Sequence, residues 1–130
     1  MSAASRTLLL VTTCLAFAGG VLAAGFELSA DGMRDAEDTV RRLDSNLSLQ
    51  DPKAALADVD ELAHYFEQVE WHYAQRADAA PAAELAKQSQ RQAAVVAEAV
   101  QRGDFDAALD ALGQLTRSCK RCHEAYRKER

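Results

Sequence analysis

Cysteine is scarce in this 130-residue chain, which has three: Cys14, Cys119 and Cys122. Cys14 lies inside an apolar N-terminal stretch, so the remainder holds only two, three positions apart, and no disulfide framework can be built from them. Proline is scarcer. Pro52 and Pro81 each stand where a helix can open, where the missing N–H costs nothing. The alternating pattern of a half-buried strand appears nowhere, which excludes a sheet. Positive charge does not prevail: 15 Lys and Arg against 20 Asp and Glu give a formal net charge of −5, without the basic footprint that a phosphate backbone demands, so nucleic acid is excluded as a partner. Also missing are a nucleophile paired with a base, a phosphate-binding loop and paired acids in a cleft, so no enzyme activity is expected.

What is present begins with "TLLLVTTCLAFAGGVLAAG", preceded by Arg6. One basic residue, an apolar run and the small-x-small sequence Val21-Leu22-Ala23 describe a cleaved secretory signal over residues 1–24, with the folded domain at 25–130. An uncleaved anchor suits Gly19-Gly20 and the small-residue exit less well, and lipoprotein processing at Cys14 fits its neighbours poorly. Cleavage removes Arg6 and no acid, leaving the mature chain more acidic and without a membrane segment. Its length suits one domain around one core.

Four amphipathic segments follow. Met33, Ala36, Val40, Leu43 and Leu47 recur at steps of three and four, with Ser29 or Asp31 near the start. Asp51 caps a second helix opened by Pro52, whose stripe is Leu56, Val59, Leu62, Phe66, Val69 and Tyr73. Pro81 opens a third, with Leu85, Ser89, Val96 and Val100, stopped at Gly103. Asp104 caps the fourth, running Ala108, Leu109, Leu112, Leu115, Cys119, Cys122, His123 and Tyr126. Similar lengths, short connections and one stripe each predict an all-α, antiparallel up-down-up-down four-helix bundle.

The chemistry sits in "SCKRCHEAY". Cysteines at i and i+3 share a helix face, and the adjoining histidine lies within a turn of both. Covalent haem attachment needs two thiols to add across two vinyl groups and an imidazole that reaches the iron; Cys119, Cys122 and His123 meet all three demands. A redox Cys-x-x-Cys belongs at a helix N-terminus, whereas this one is near a C-terminus. A structural zinc wants four ligands, and only His64 and His72 are left to supply more. A plain buried thiol pair, or a disulfide, is the bland alternative.

A four-helix bundle closing on Cys-x-x-Cys-His and then Glu124-Ala125-Tyr126-Arg127 resembles the cytochrome c-prime superfamily of secreted bacterial haem proteins. The resemblance implies one covalent haem c on Cys119 and Cys122, His123 as proximal iron ligand, Arg127 beside it, a periplasmic location reached through the cleaved signal, and haem-attachment machinery as a partner. It also implies a redox partner protein and a homodimer through the first two helices, for which the exposed face carrying His64 and Trp71 is suited.

The sixth iron position decides between functions. Antiparallel packing puts Met33, the one methionine besides Met1, at the same end as His123. "DGMRDAEDTV" resembles the first helix of the methionine-ligated branch, in which thioether and imidazole make a low-spin electron carrier. The alternative leaves Met33 as core filling and the site open for nitric oxide or carbon monoxide. The same end of the bundle makes Val69, Tyr73, Leu85 and Ser89 pocket walls and brings Arg34 and Arg76 near, while His72 is expected to face solvent. Residues 117 to 130 carry six basic side chains against two acids, which either serve the helix C-terminus or form a docking patch.

Overall fold

The computed structural model describes residues 28–126, which form four helices: α1 Ala30–Ser48, α2 Pro52–Ala74, α3 Ala80–Gln101 and α4 Phe105–Tyr126. Among these residues there is no strand. The signal segment expected at 1–24 and the basic end from Arg127 lie outside the described residues.

Side-chain caps start three of the helices. Ser29 Oγ accepts from Gly32 N–H at 3.0 Å, Asp51 Oδ1 from Ala54 N–H at 3.0 Å, and Asp104 Oδ1 from Ala107 N–H at 3.0 Å, each satisfying a donor the helix cannot use internally. α3 has no such bond; Pro81 in its first turn supplies a fixed φ instead.

Two of the turns repeat one motif. After α1, Gln50 N–H donates to Leu47 O at 3.0 Å and Asp51 N–H to Asn46 O at 2.9 Å; after α3, Gly103 N–H donates to Val100 O at 2.9 Å and Asp104 N–H to Ala99 O at 2.9 Å. The turn residue is left-handed in both, with φ of 54° at Gln50 and 74° at Gly103. In each, the aspartate that closes one helix also caps the next.

α1 packs on α2, α2 on α3, α3 on α4, and α4 returns to α1, closing the antiparallel ring predicted from the stripes. The α1–α4 seam is the most thinly packed. Leu43, Leu47, Leu62, Val96 and Leu115 are fully buried at the end of the bundle that holds the α1–α2 and α3–α4 turns. Ala82, Ala86, Ala93 and Ala99 are also buried and let α3 approach its neighbours closely. Between α1 and α2 a polar cluster surrounds the buried Asp58. Asp58 accepts from Arg42 Nε at 2.5 Å and from Asn46 Nδ2 at 2.7 Å, and Arg42 Nη2 also donates to Glu61 at 2.8 Å. The apolar filling thins out toward the opposite end, where α1 and α3 begin and α2 and α4 finish, and there the bundle is hollow.

Candidate functional site

Two cavities among the described residues share this hollow end. The larger, about 640 Å³, is walled mainly by apolar groups: Phe66, Val69, Leu85 and Ala86 from α2 and α3, with Met33, Ala36 and Val40 from α1 and Cys119 from α4. Its size falls within the roughly 300–1,000 Å³ usual for cofactor sites. The smaller, about 410 Å³, is more polar and takes in Ser29, Arg34, Tyr73 and Tyr126. Met33, Glu37, Cys122 and His123 line both. Glu37, Arg41, Thr116, Lys120 and Glu124 are exposed and come only from α1 and α4, so the larger cavity opens through the α1–α4 seam.

The helical turn does for the closing motif what its spacing promised. Cys119, Cys122 and His123 are each half-buried and all line the larger cavity. Both thiols are free. Burial, reinforced by the neighbouring Cys122, pushes the Cys119 thiol up to about 11, and burial also raises that of Cys122. A redox dithiol needs its nucleophilic sulfur shifted the other way, toward the thiolate. The pair is therefore not poised as a redox dithiol, and both sulfur-bearing residues line a mainly apolar space.

Met33 is half-buried and lines both cavities with His123, at the same end of the bundle as the antiparallel arrangement requires. Val69, Leu85 and Ser89 line the larger cavity; Tyr73 lines the smaller, 5.9 Å from the Tyr126 ring. Buried Ser89 donates its hydroxyl to Leu85 O at 3.1 Å, so its polar group is occupied within its own helix. Of the two arginines at this end, Arg34 lines the smaller cavity and pairs with Asp31 at 3.0 Å, whereas Arg76 turns to Asp78 at 3.5 Å. His72 departs from expectation: it is half-buried, its ring edge-on to Tyr73 at 5.1 Å, because that tyrosine, on the core stripe, gives it an apolar surface to cover. His64 and Trp71 are exposed as anticipated, Trp71 by 58%.

Sequence reading missed Tyr65. It lies on the flank of the α2 stripe, four residues before Val69 and eight before Tyr73, a spacing that a wider stripe would have included. Burial, then the nearby Tyr73 and Asp35, pushes its phenol up to about 12. Glu37 was also missed, as the sequence offers no reason for an acid one turn from Met33 to line an apolar cavity.

Among the described residues, no three His, Cys, Asp or Glu side chains are placed to hold a bare metal ion. A metal at His123 has to bring most of its ligands with it, as a porphyrin iron does. Two neutral thiols, an adjoining imidazole and an apolar hollow of cofactor size fit such a group. The family model for cytochrome C′ matches residues 74–127, which takes in the last residue of α2, all of α3 and α4, and the attachment motif.

Fold and match together support the cytochrome c-prime superfamily. The match supports a haem-binding c-type cytochrome, and that family implies covalently bound haem c with its iron. Cytochromes c-prime are generally haem carriers rather than enzymes and are typically periplasmic. No helix among the described residues is long and apolar enough to cross a membrane. The match stops short of α1, so it says nothing about residue 33. No curated protein and no solved structure matches the chain.

Proposed function

We propose that this chain is a periplasmic electron carrier in which His123 and Met33 would be the protein's two ligands to a haem iron. When bound, the haem supplies an iron that alternates between ferric and ferrous. Cys119 and Cys122 would anchor the macrocycle as thioethers and His123 would give the proximal nitrogen. Val69, Leu85 and Ser89 exclude water from one side, and Tyr73 closes the adjoining polar space. The observation that carries the reading is that Met33, from the first helix, and His123, from the last, line the same two cavities. A thioether together with an imidazole would favour the reduced, low-spin state of such an iron and would exclude an exogenous ligand.

The proposal extends to export and partners. The segment 1–24 delivers the chain to the compartment where attachment machinery joins haem to thiols. Arg117, Lys120 and Arg121 are exposed along α4, with Lys120 lining the larger cavity, and give an acidic protein a positive face suited to a redox partner of opposite charge. Exposed Trp71 gives the outer face of α2 an anchor for a homodimer.

The optical spectrum of the purified holoprotein tests the central claim. A low-spin spectrum with the methionine-to-iron charge-transfer band is expected. A high-spin spectrum that shifts on adding carbon monoxide would instead make the protein a five-coordinate gas binder.

A further inference from the structure

The first turn of α1 carries Met33 but little that fixes it. The buried residues of α1 are Thr39, Leu43 and Leu47, all at least one full turn beyond Met33, while Ser29, Ala30 and Asp31 are exposed. The seam that α1 shares with α4 is thinly packed. A long, three-rotor thioether on such a turn has no unique direction of its own.

The Tyr65 ring of α2 stands beside this turn. A Cβ built on Gly32 would lie 3.5 Å from Tyr65 Cε2, 3.6 Å from the Tyr65 hydroxyl oxygen and 3.4 Å from Ser29 Oγ. The residue before Met33 is thus flanked by its own cap on one side and the Tyr65 ring on the other. Ser29 accepts from the Gly32 N–H at 3.0 Å, so cap, glycine and ring form one stack. Tyr65 in turn is set in α2 against Phe66, ring centroids 6.0 Å apart, and itself lines the larger cavity beside Met33.

We propose that Tyr65 is a positioning residue for the sixth ligand: by bearing on Gly32 it fixes where the first turn of α1 stands and directs the Met33 thioether into the haem cavity. The proposal rests on the Met33 ligation proposed above. It also explains the size of residue 32. An alanine Cβ meets only ordinary van der Waals distances there, whereas branches beyond a Cβ would press on the ring and lift the turn.

The test uses holoprotein carrying Tyr65→Phe, Tyr65→Ala, Gly32→Ala or Gly32→Val, each alone, and Tyr65→Ala again on Met33→Leu. The methionine charge-transfer band, carbon monoxide affinity and thermal midpoint are read for all. Tyr65→Phe and Gly32→Ala should keep the band. Tyr65→Ala and Gly32→Val should weaken it and raise carbon monoxide affinity by about tenfold, because apparent affinity follows the fraction of molecules with the sixth position free. Valine is no worse a helix former than glycine, so loss of the band in Gly32→Val reports displacement and not fraying. On Met33→Leu the tyrosine change should add nothing to carbon monoxide affinity, although a general packing role would still move it. If the unmutated protein shows the band and both Tyr65→Ala and Gly32→Val retain it in full, the positioning role is wrong and Met33 ligation stands. If the unmutated protein has no such band, Met33 ligation fails and the role of Tyr65 fails with it. Should Tyr65→Ala not fold, Gly32→Val decides.

Discussion

Gln50 and Gly103 occupy the same left-handed position in two copies of one turn, but only one of them is the residue that position favours. An L-residue pays roughly 1–2 kcal/mol there for the contact between its Cβ and the following carbonyl. Gln50→Gly should therefore stabilise the bundle by about 0.5–1 kcal/mol after the added freedom of the unfolded chain is subtracted. Gly103→Ala should cost about 1 kcal/mol although nothing lies within 4 Å of the new methyl. Denaturant unfolding of the two variants checks both signs.

Met33→Leu removes the thioether and keeps the volume. The holoprotein should pass from low-spin to high-spin, lose its methionine charge-transfer band and gain carbon monoxide binding, and its reduction potential should fall. Spectroelectrochemical titration measures these together. A variant with an unchanged spectrum would place the sixth ligand elsewhere.

Asp58 is a buried carboxylate, its side chain 6% exposed, and Arg42 is its charged partner from α1. Arg42→Ala leaves Asn46 alone to satisfy it and should destabilise the protein by about 1–3 kcal/mol. Replacing both Arg42 and Asp58 by apolar residues should cost less than the two single changes added together. A double-mutant cycle in urea reads the difference.

The Tyr65 phenol is pushed up from its usual 10 to about 12, chiefly by burial. Below pH 10 the phenol is neutral both folded and unfolded, and its contribution to stability is complete. Between pH 10 and about 12 the unfolded chain ionises first, so stability falls as pH rises through that window. Tyr73, raised in the same direction by burial, adds to the slope. Tyr65→Phe should flatten it, as urea midpoints measured across this range would show.

Electron transfer to an acidic partner should slow as salt is added, because Arg117, Lys120 and Arg121 act on the encounter through screened fields. Reversing Lys120 and Arg121 to glutamate should slow it at low salt and remove most of the salt dependence. Stopped-flow rates over a range of ionic strength test this.

The helices were legible because their punctuation is explicit. Asp51-Pro52 and Gly103-Asp104 are capping signals, and the steps of three and four at Leu43, Leu47, Leu62, Val96 and Leu115 marked the core. Cys119, Cys122 and His123 needed only the helical turn to come together. The turn at Gln50 was not legible, since glutamine carries no left-handed preference and is held there by the bonds to Leu47 and Asn46. Nor was Asp58: an acid beside the α2 stripe reads as solvated until Arg42 and Asn46 arrive from another helix. Tyr65 and Glu37 line the cavity through the way helices meet, which no single segment records.

The mouth of the larger cavity divides the first helix from the last. α2, α3 and α4 make the tightest contacts and together hold both thiols, the imidazole and the inner apolar wall. Both thiols, the imidazole and the inner apolar wall thus sit on three helices, while α1 brings Met33, Ala36, Glu37 and Val40 to the other side of the cavity. The anchoring residues and residue 33 are therefore carried on separate parts of the fold, and a change at residue 33 leaves every anchoring residue in place.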